Sequence, residues 1–442
     1  MKYAMKYHYS LLLLAALCRP AAAQAQDHSL TAYTLPACLE IALENAYSIR
    51  FARNSEQVAA NNASRGNAGM LPAVNAAADL GGSFGYLPLK DSATQGNSYK
   101  LGVSGSWTVF DGWGMQASYE RLQEIKKNGE LATQLQIAGT VAQVTAMYYE
   151  IVQRQLRLKN LRATLSLSRE RTRLAREKFM AGSHSQLELL QAQVDFNADS
   201  SLYVTYLQSC SDLQIRFKTL LLLPFDDSYV IVNDTSFRLN QHLRLEELQA
   251  LAVSNNTSLK IFDVNRTITD LERKQVEAAR YPYVNLSASY GYSGNFSSTK
   301  KNAMELSYGV SVGVNIFNGY NQRRQEANVK IAQLNRQLEY EQQLQQVMAD
   351  LHQLYSSYDT YIHLLDLEKS NKAMADRKIG LALELYSLGQ ITSLELREHQ
   401  KTSLDAQDRL VNAIYQAKLS EIYLLQLCGV VLDYLNIKPI EE

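Results

Sequence analysis

Two hydrophobic patterns divide the chain: strict alternation in four short segments, and a three-four spacing in the long stretches between them. Alternation with a period of two predicts β-strands, because successive side chains of a strand point to opposite faces. We expect strands at about 73–86, 99–110, 283–293 and 304–317. The last is the clearest, and its apolar face carries Leu306, Tyr308, Val310, Val312, Val314 and Ile316. Each segment is long enough for a tilted strand to cross a bilayer.

The polar faces of these strands indicate a membrane setting. They carry Ser, Gly and Asn, which suit a water-filled lumen, rather than the Lys/Glu mixture of a soluble surface. Tyr, Trp and Phe cluster towards the strand ends, as in an interfacial aromatic girdle. The polar segments 87–98 and 293–303 are predicted to be exposed loops. A soluble hairpin with one buried face is the alternative that this pattern leaves open.

The stretches between the strands are predicted to be long helices. A coiled-coil seam steps by four and three through Val347, Leu351, Leu354, Tyr358, Tyr361 and Leu365. In each half, a helix of about 65 residues, or about 100 Å, leads to a glycine, Gly182 in the first half and Gly389 in the second. The chain then returns through 185–223 and 392–429, so each half is expected to form a helical hairpin.

The two halves of the chain repeat each other. The segment Phe110–Trp113 (Phe-Asp-Gly-Trp) returns as Phe317–Tyr320 (Phe-Asn-Gly-Tyr), and Phe179–Leu189 returns as Tyr386–Leu396. Both pairs are 207 positions apart. A duplicated unit of this size predicts one pseudo-symmetric fold rather than two independent domains.

The repeat sets the predicted domain organisation. We expect a signal peptide at 1–25, a first repeat at 26–223 and a second repeat at 244–442. Between the repeats, 224–243 is expected to be a crossover linker with a short β-like segment, Tyr229–Val232.

The N-terminus has the pattern of a secretory signal peptide. Two lysines precede a short apolar core, Leu11–Leu17, and a small-x-small cleavage site follows at Ala23–Ala25. Cleavage there removes three basic residues and no acid, which changes the net charge from zero to −3. A chain so close to neutral does not attract nucleic acid. Lipid attachment at Cys18 would require a small preceding residue, whereas Leu17 stands there.

The residue types that carry catalysis or bind metals form no pattern in this chain. Cys38, Cys210 and Cys428 are widely spaced, which favours packing roles, although one disulfide bridge is an open alternative. The sequence lacks HExxH, GxSxG and Walker motifs, and its histidines lack metal-ligand spacing. We therefore expect no enzyme, no cofactor and no metal site.

Four strands are too few to close a barrel. An open sheet edge in lipid leaves backbone groups unpaired at several kcal/mol each. Two copies would give eight strands, and a barrel of eight is filled by its own side chains, whereas twelve strands from three copies leave a lumen. The sequence therefore predicts an oligomer, and a trimer if anything passes through it.

The duplication, the strand-end motifs and the paired tip motifs resemble the TolC family of outer membrane efflux proteins. This resemblance implies a fold that is mainly α with membrane β. Long coiled-coil hairpins would form a periplasmic α-barrel, and each subunit of a homotrimer would give four strands to a shared twelve-strand barrel in the outer membrane of a Gram-negative bacterium. It also implies an exit duct that joins a periplasmic adaptor (membrane fusion) protein and an inner-membrane RND, ABC or MFS pump, and that passes drugs, toxins or secreted protein.

The resemblance also places function at the hairpin tips. It implies that the tips dock the adaptor through Gly182, Ser185, Leu187, Gly389, Thr392 and Leu394. Residue chemistry independently predicts a structural role there, because glycine permits the positive φ of a tight turn and Ser or Thr caps the returning helix. Glu188 and Glu395, three residues after these caps, fit capping boxes.

A gate near the tips is the second implication of the resemblance. It places Glu188, Tyr386, Glu395 and Glu398 at a constriction, where threefold symmetry would gather the carboxylates into acidic rings that attract cations. One position departs from the family pattern, since Ile391 replaces the tip arginine that pairs with the acid of the first repeat. Arg397 is close in sequence but lies on another helical face. The latch between hairpins is therefore expected to be weaker or built differently.

Two alternatives to the efflux duct remain at this point. One is a soluble periplasmic coiled-coil scaffold whose alternating segments form a small sandwich. The other is a secretion conduit for a single protein substrate, which would have the same tube.

Overall fold

The structure, a computed structural model, describes residues 32–87, 92–183, 185–225, 231–232, 237–295 and 302–435. The predicted signal peptide, including Cys18, lies outside the described residues, as do Tyr229 and Val230 of the linker.

The elements of the first half follow one another in the order β1 (Ala32–Tyr33), α1 (Leu35–Asn45), α2 (Tyr47–Asn62), β2 (Ala73–Leu87), β3 (Ser92–Phe110), α3 (Gly114–Met180), α4 (Gln186–Leu221) and β4 (Ile231–Val232). The second half continues with α5 (Leu245–Asn255), α6 (Thr257–Ala278), β5 (Tyr283–Asn295), β6 (Ala303–Gly313), α7 (Asn321–Ser387), α8 (Ser393–Leu427) and α9 (Val431–Tyr434). Apart from the short β1, β4 and α9, the second half repeats the first, with α5 and α6 in the places of α1 and α2.

Four antiparallel strands form one sheet in the order β2-β3-β5-β6. All four predicted strands are present, but two of their boundaries were wrong. Residues 92–98, expected in a loop, continue β3, because their backbone pairs in register with the end of β2. The strand expected to reach 317 ends at Gly313, because its pairing partner β5 begins at Tyr283, directly after Pro282.

Helices α3 and α7 are 67 residues each, so each extends about 100 Å. Both start at the duplicated corner motif, where two successive residues adopt left-handed conformations: Gly112 and Trp113 with φ of 74° and 70°, and Gly319 and Tyr320 with 65° and 61°. In both copies the phenylalanine before the glycine packs edge-on against the aromatic residue after it, with ring centroids 5.0 and 5.3 Å apart. The first copy of the motif directly follows β3, whereas the second begins a few residues after the end of β6.

Each long helix has a different set of neighbours in its two halves. Near the sheet, α3 packs between α2 and α6, and α6 packs on α7, which gives the lateral order α2-α3-α6-α7. Towards the tips, α3 packs between α4 and α8, and α8 packs on α7, which gives α4-α3-α8-α7. A layer four helices wide therefore continues a sheet four strands wide, and it has a free edge on each side.

The apolar core lies between these two levels. One cluster joins α1, α3, α4 and α8, and a second joins α5, α7 and α8. The predicted seam on α7 is largely confirmed, since Val347, Leu351, Tyr358 and Leu365 are buried. The three cysteines in the described residues are free; Cys38 and Cys428 are buried, and burial raises the pKa of the Cys38 thiol to about 12.

A buried ion pair fixes the crossover segment to this core. Lys418 donates to Glu421 at 3.0 Å and to the Arg238 carbonyl at 2.7 Å, while the Tyr434 hydroxyl donates to Glu421 at 2.7 Å. Strand β4 in the same crossover pairs in parallel with β1. The crossover between the repeats is therefore tied to both the N-terminal and the C-terminal ends of the described chain.

Candidate functional site

The two hairpin turns have the same geometry. Gly182 and Gly389 both have φ of 73°, and a Cβ atom at either position would meet nothing within 4 Å. In the first turn the Ser183 N–H donates to the Lys178 carbonyl at 2.9 Å, and the second turn repeats this bond at the same distance. The turns therefore require glycine for its backbone conformation and not for lack of space.

Both returning helices are capped by the predicted Ser185 and Thr392, but only α8 has the full capping box that was expected at both helices. The Ser185 hydroxyl accepts from the Glu188 N–H at 3.3 Å, and the Thr392 hydroxyl accepts from the Glu395 N–H at 3.2 Å. The Glu395 carboxylate in turn accepts from the Thr392 N–H at 2.7 Å, which completes a capping box. These bonds from Thr392 hold the pKa of Glu395 below its usual range.

The predicted gate residues separate into two groups. Glu188 and Tyr386 lie close together, and the pKa of Tyr386 is raised, mainly by burial and further by the Glu188 carboxylate. Tyr386 is buried, so it presents no surface to a central axis in this conformation. Glu395 and Glu398 are exposed on the first turns of α8, and the Glu398 carboxylate has no partner among the described residues.

The exposed tips also carry apolar residues, and one pair of these is duplicated. Leu187 and Leu394 occupy equivalent positions in the two repeats, and both are largely exposed. Because α4 and α8 begin immediately before them, the two leucines project from the ends of the hairpins. They are the most apolar part of the predicted docking surface.

Ile391, which replaces the expected arginine, takes part in an apolar contact between hairpins. It packs against a small buried cluster of Ala382, Tyr386 and Leu396, to which Leu174 of α3 is added from the first hairpin. The Lys178 ammonium, also from the first hairpin, donates to the Tyr386 carbonyl at 3.0 Å and lies 4.5 Å from its ring centroid. Tyr386 is thus held between the two hairpins.

An ionic latch lies further along the same interface. Arg397 of α8 donates to both carboxylate oxygens of Asp199 of α4, at 2.6 and 2.8 Å. The Ser168 hydroxyl of α3 donates to the same carboxylate, and Gln400 donates to Ser168 at 2.8 Å and to the Thr164 carbonyl at 3.0 Å. We call these five residues the inter-hairpin latch. The two hairpins are therefore joined here by an ion pair that does not involve position 391.

A second arginine, which is fully buried, lies beside this latch. Arg171 is 1% exposed and donates to Asp195 at 2.6 Å, while its Nε and Nη1 atoms have no hydrogen-bond partner. Burial lowers the pKa of Arg171, and the nearby Arg397 acts in the same direction. The interface therefore carries unsatisfied polar groups that an apolar helix contact would not have.

Sequence analysis identified Arg397 but missed its partners. Asp195 and Asp199 are four residues apart on α4, and Ser168 and Arg171 are three apart on α3, so each pair shares a helical face. Polar residues at seam positions of a predicted coiled coil were the available signal. They could indicate a polar contact, but not which helix would face it.

The described part of the chain lacks two other kinds of feature. No group of three or more His, Cys, Asp or Glu side chains there could hold a metal ion. None of the helices described is long and apolar enough to span a membrane.

Comparison with known families decides the affiliation of the chain. The family model of the outer membrane efflux protein matches residues 38–221 and 248–430, one segment in each repeat. The chain belongs to this family. Membership favours an outer membrane channel over a soluble scaffold, with the strands in the outer membrane and the long helices in the periplasm.

Individual members of the efflux family give the same picture. The pyoverdine export outer membrane protein OpmQ of Pseudomonas aeruginosa is 24% identical over 393 residues, which cover 85% of this chain and 81% of that protein. The Campylobacter jejuni CmeC outer membrane channel superposes with a TM-score of 0.78 at 16% identity, covering 92% of this chain and 87% of that one. The Neisseria gonorrhoeae MtrE channel, solved in an open state, gives 0.74 at 16% identity, covering 90% and 89%. The efflux fold therefore extends over nearly the whole described chain.

Proposed function

We propose that three copies of this chain close into one tube, which serves as the exit duct of a tripartite export system. The observation that carries the proposal is that the sheet and the helical layer each end in two free edges. The edge elements are β2 and β6 in the sheet, α2 and α7 near it, and α4 and α7 towards the tips. A second copy added at one edge leaves the same edge free again, so only a ring satisfies every copy.

The helical edges near the sheet expose apolar side chains that a single chain leaves uncovered. On α2, Phe51 and Val58 are exposed, and on α7, Ile331, Leu334 and Leu338 are exposed at helical spacing. A soluble monomer rarely exposes a continuous apolar stripe of this kind. Packing of α2 of one subunit against α7 of the next would cover both stripes.

The edges towards the tips show the same arrangement. Leu190 and Val194 are exposed on α4, and Leu367, Met374 and Leu381 are exposed on α7 at intervals of seven. Seven-residue spacing is typical of a coiled-coil seam. The α4 edge of one subunit therefore fits the α7 edge of its neighbour along the lower half of the tube.

The partners and cargo follow from the family and from the tips. The exposed Leu187 and Leu394 support docking of a periplasmic adaptor, which would connect the duct to an inner-membrane pump. A relative that exports pyoverdine supports a small secreted molecule as the cargo. A passive conduit of this kind needs no catalytic group, so we propose that the protein is not an enzyme.

Closure of the ring is tested with seam variants. Phe51→Asp and Leu334→Asp place a carboxylate at the centre of the proposed interface, and we expect both to lose the trimer and its channel conductance. Leu187→Asp is the matched control, since it is at least as exposed but lies at the tip. It should keep the trimer and lose export. Mass measurement in detergent and planar-bilayer recording give the readouts. A wild-type monomer without conductance would refute the proposal.

A further inference from the structure

Every charged residue of the four membrane strands lies around one point of the sheet. Strands β2, β3, β5 and β6 contain only three charged residues, Asp79, Lys100 and Glu305. They come from three different strands and are far apart in sequence. All three line one depression of about 260 Å³ on the polar face.

The strand register explains how they meet. Asp79 pairs with Lys100 across β2 and β3, and Glu305 pairs with Gly291 across β5 and β6. Lys100 pairs with Ser293, two residues along β5 from Gly291, so Lys100 and Glu305 are separated by two strand spacings and two residues, about 12 Å between their Cα atoms. Lys100 and its cross-strand neighbour Asp79 therefore border one side of the depression and Glu305 borders the other, and no ion pair among these three residues closes it.

The floor and walls of the depression suit polar contacts. Gly102 and Gly291 are directly paired, so the floor is bare backbone. Ser104, Ser289 and Ser307 stand along one side, and the last two share a hydrogen bond at 2.8 Å. Hydroxyl groups donate and accept equally well, so they recognise hydroxyl or amide groups of a ligand. The volume is slightly below that of pockets for drug-sized ligands, so it fits one ring-sized group of a larger molecule.

The balance of charge selects the sign of the ligand. Two carboxylates and one ammonium give the depression of each subunit a net charge of −1, which favours a cationic group. A charge-assisted hydrogen bond from such a group is about twice as strong as a neutral one. We propose that the depression is a luminal subsite that holds the protonated amine of an exported molecule, together with its neighbouring hydroxyl or amide groups, during passage. The subsite rests on the proposed function, since this face lines a lumen only when the barrel closes.

Current block in a planar bilayer tests the subsite with two sugars that differ in one group. Glucosamine carries a protonated amine at about pH 6, whereas N-acetylglucosamine has the same ring hydroxyls without the charge. Added from the extracellular side to purified trimer, glucosamine should block the current at a concentration roughly tenfold lower. Glu305→Gln should remove this preference, and Lys100→Gln should increase it, because the repelling ammonium is gone.

Volume variants separate binding in the depression from attraction by lumen charge in general. Ala77→Leu fills the depression from its wall without changing any charge, and it should weaken the glucosamine block. Asn285→Leu adds comparable apolar volume on the same face outside the depression and should leave the preference intact. Equal block by both sugars, or a preference that survives Glu305→Gln, would overturn the subsite while the channel stands. Absence of any trimer conductance would overturn the channel and the subsite together.

Discussion

Removal of Arg397 should open the periplasmic end of the duct. Asp199, its partner, is 8% exposed, and Arg397 itself is 25% exposed. Breaking a buried pair by removing one member costs about 3–5 kcal/mol. The partial exposure of Arg397 and the remaining bond from Ser168 to Asp199 reduce this to about 2–3 kcal/mol per subunit. Such a change favours the separated hairpins roughly 30- to 150-fold per subunit.

The measurement is single-channel conductance of the purified trimer in planar bilayers. Arg397→Met keeps most of the side-chain volume and removes the charge, and we expect a larger conductance than that of the wild type. Arg397→Lys should be intermediate, because an ammonium cannot bond both carboxylate oxygens in the same plane.

A double variant distinguishes a latch from general damage. Arg397→Met combined with Asp199→Leu removes the uncompensated carboxylate and restores an apolar contact, so the conductance should return towards the wild-type value. Wild-type conductance in Arg397→Met alone would refute the assignment. A double variant as open as the single one would mean that the charge pair is not what holds the hairpins.

Three other predictions concern the acidic rings, the tips and the core. Replacing both Glu395 and Glu398 by Gln should abolish block of the channel by divalent cations, and unchanged block would remove the acidic-ring hypothesis. Gly389→Trp strains the turn, because φ is 73° there, but the strain is confined to the tip and the side chain has open space, so the trimer should stay intact. The variant should still abolish export by covering the docking surface; persistent export would exclude the tips as that surface. Lys418→Met should lower the free energy of unfolding by about 3–5 kcal/mol, because it leaves the fully buried Glu421 without its partner. Thermal unfolding of the trimer measures the loss. Adding Glu421→Leu should recover most of it, and no recovery would contradict the ionic explanation.

Periodicity and local chemistry account for the features that the sequence predicted well. The four strands follow from alternation, the hairpin turns from Gly182 and Gly389, and the helix caps from Ser185 and Thr392. Each of these depends on residues close together in the chain. The start of β3 was missed for the opposite reason, since residues 92–98 are held by backbone pairing with β2 and not by their own side chains.

The latch could not be predicted for a related reason. Arg397 and Asp199 are 198 residues apart and belong to different hairpins. Their contact depends on the lateral order in which α3 packs between α4 and α8. The hydrophobic periodicity of a helix does not specify which other helices lie beside it. The depression around Glu305 likewise requires the register of four strands.

The latch gives the duplicated tube two unlike kinds of joint. Shifted by the repeat distance of 207, the positions of Arg397, Asp199 and Ser168 fall on Leu190, Ala406 and Ala375. In the proposed ring the hairpins therefore meet through charges inside each subunit and through apolar side chains such as Leu190 between subunits. Added salt weakens the first kind and strengthens the second. At high salt the six hairpins would therefore separate at the three ionic contacts within subunits, while the three apolar contacts between subunits remain.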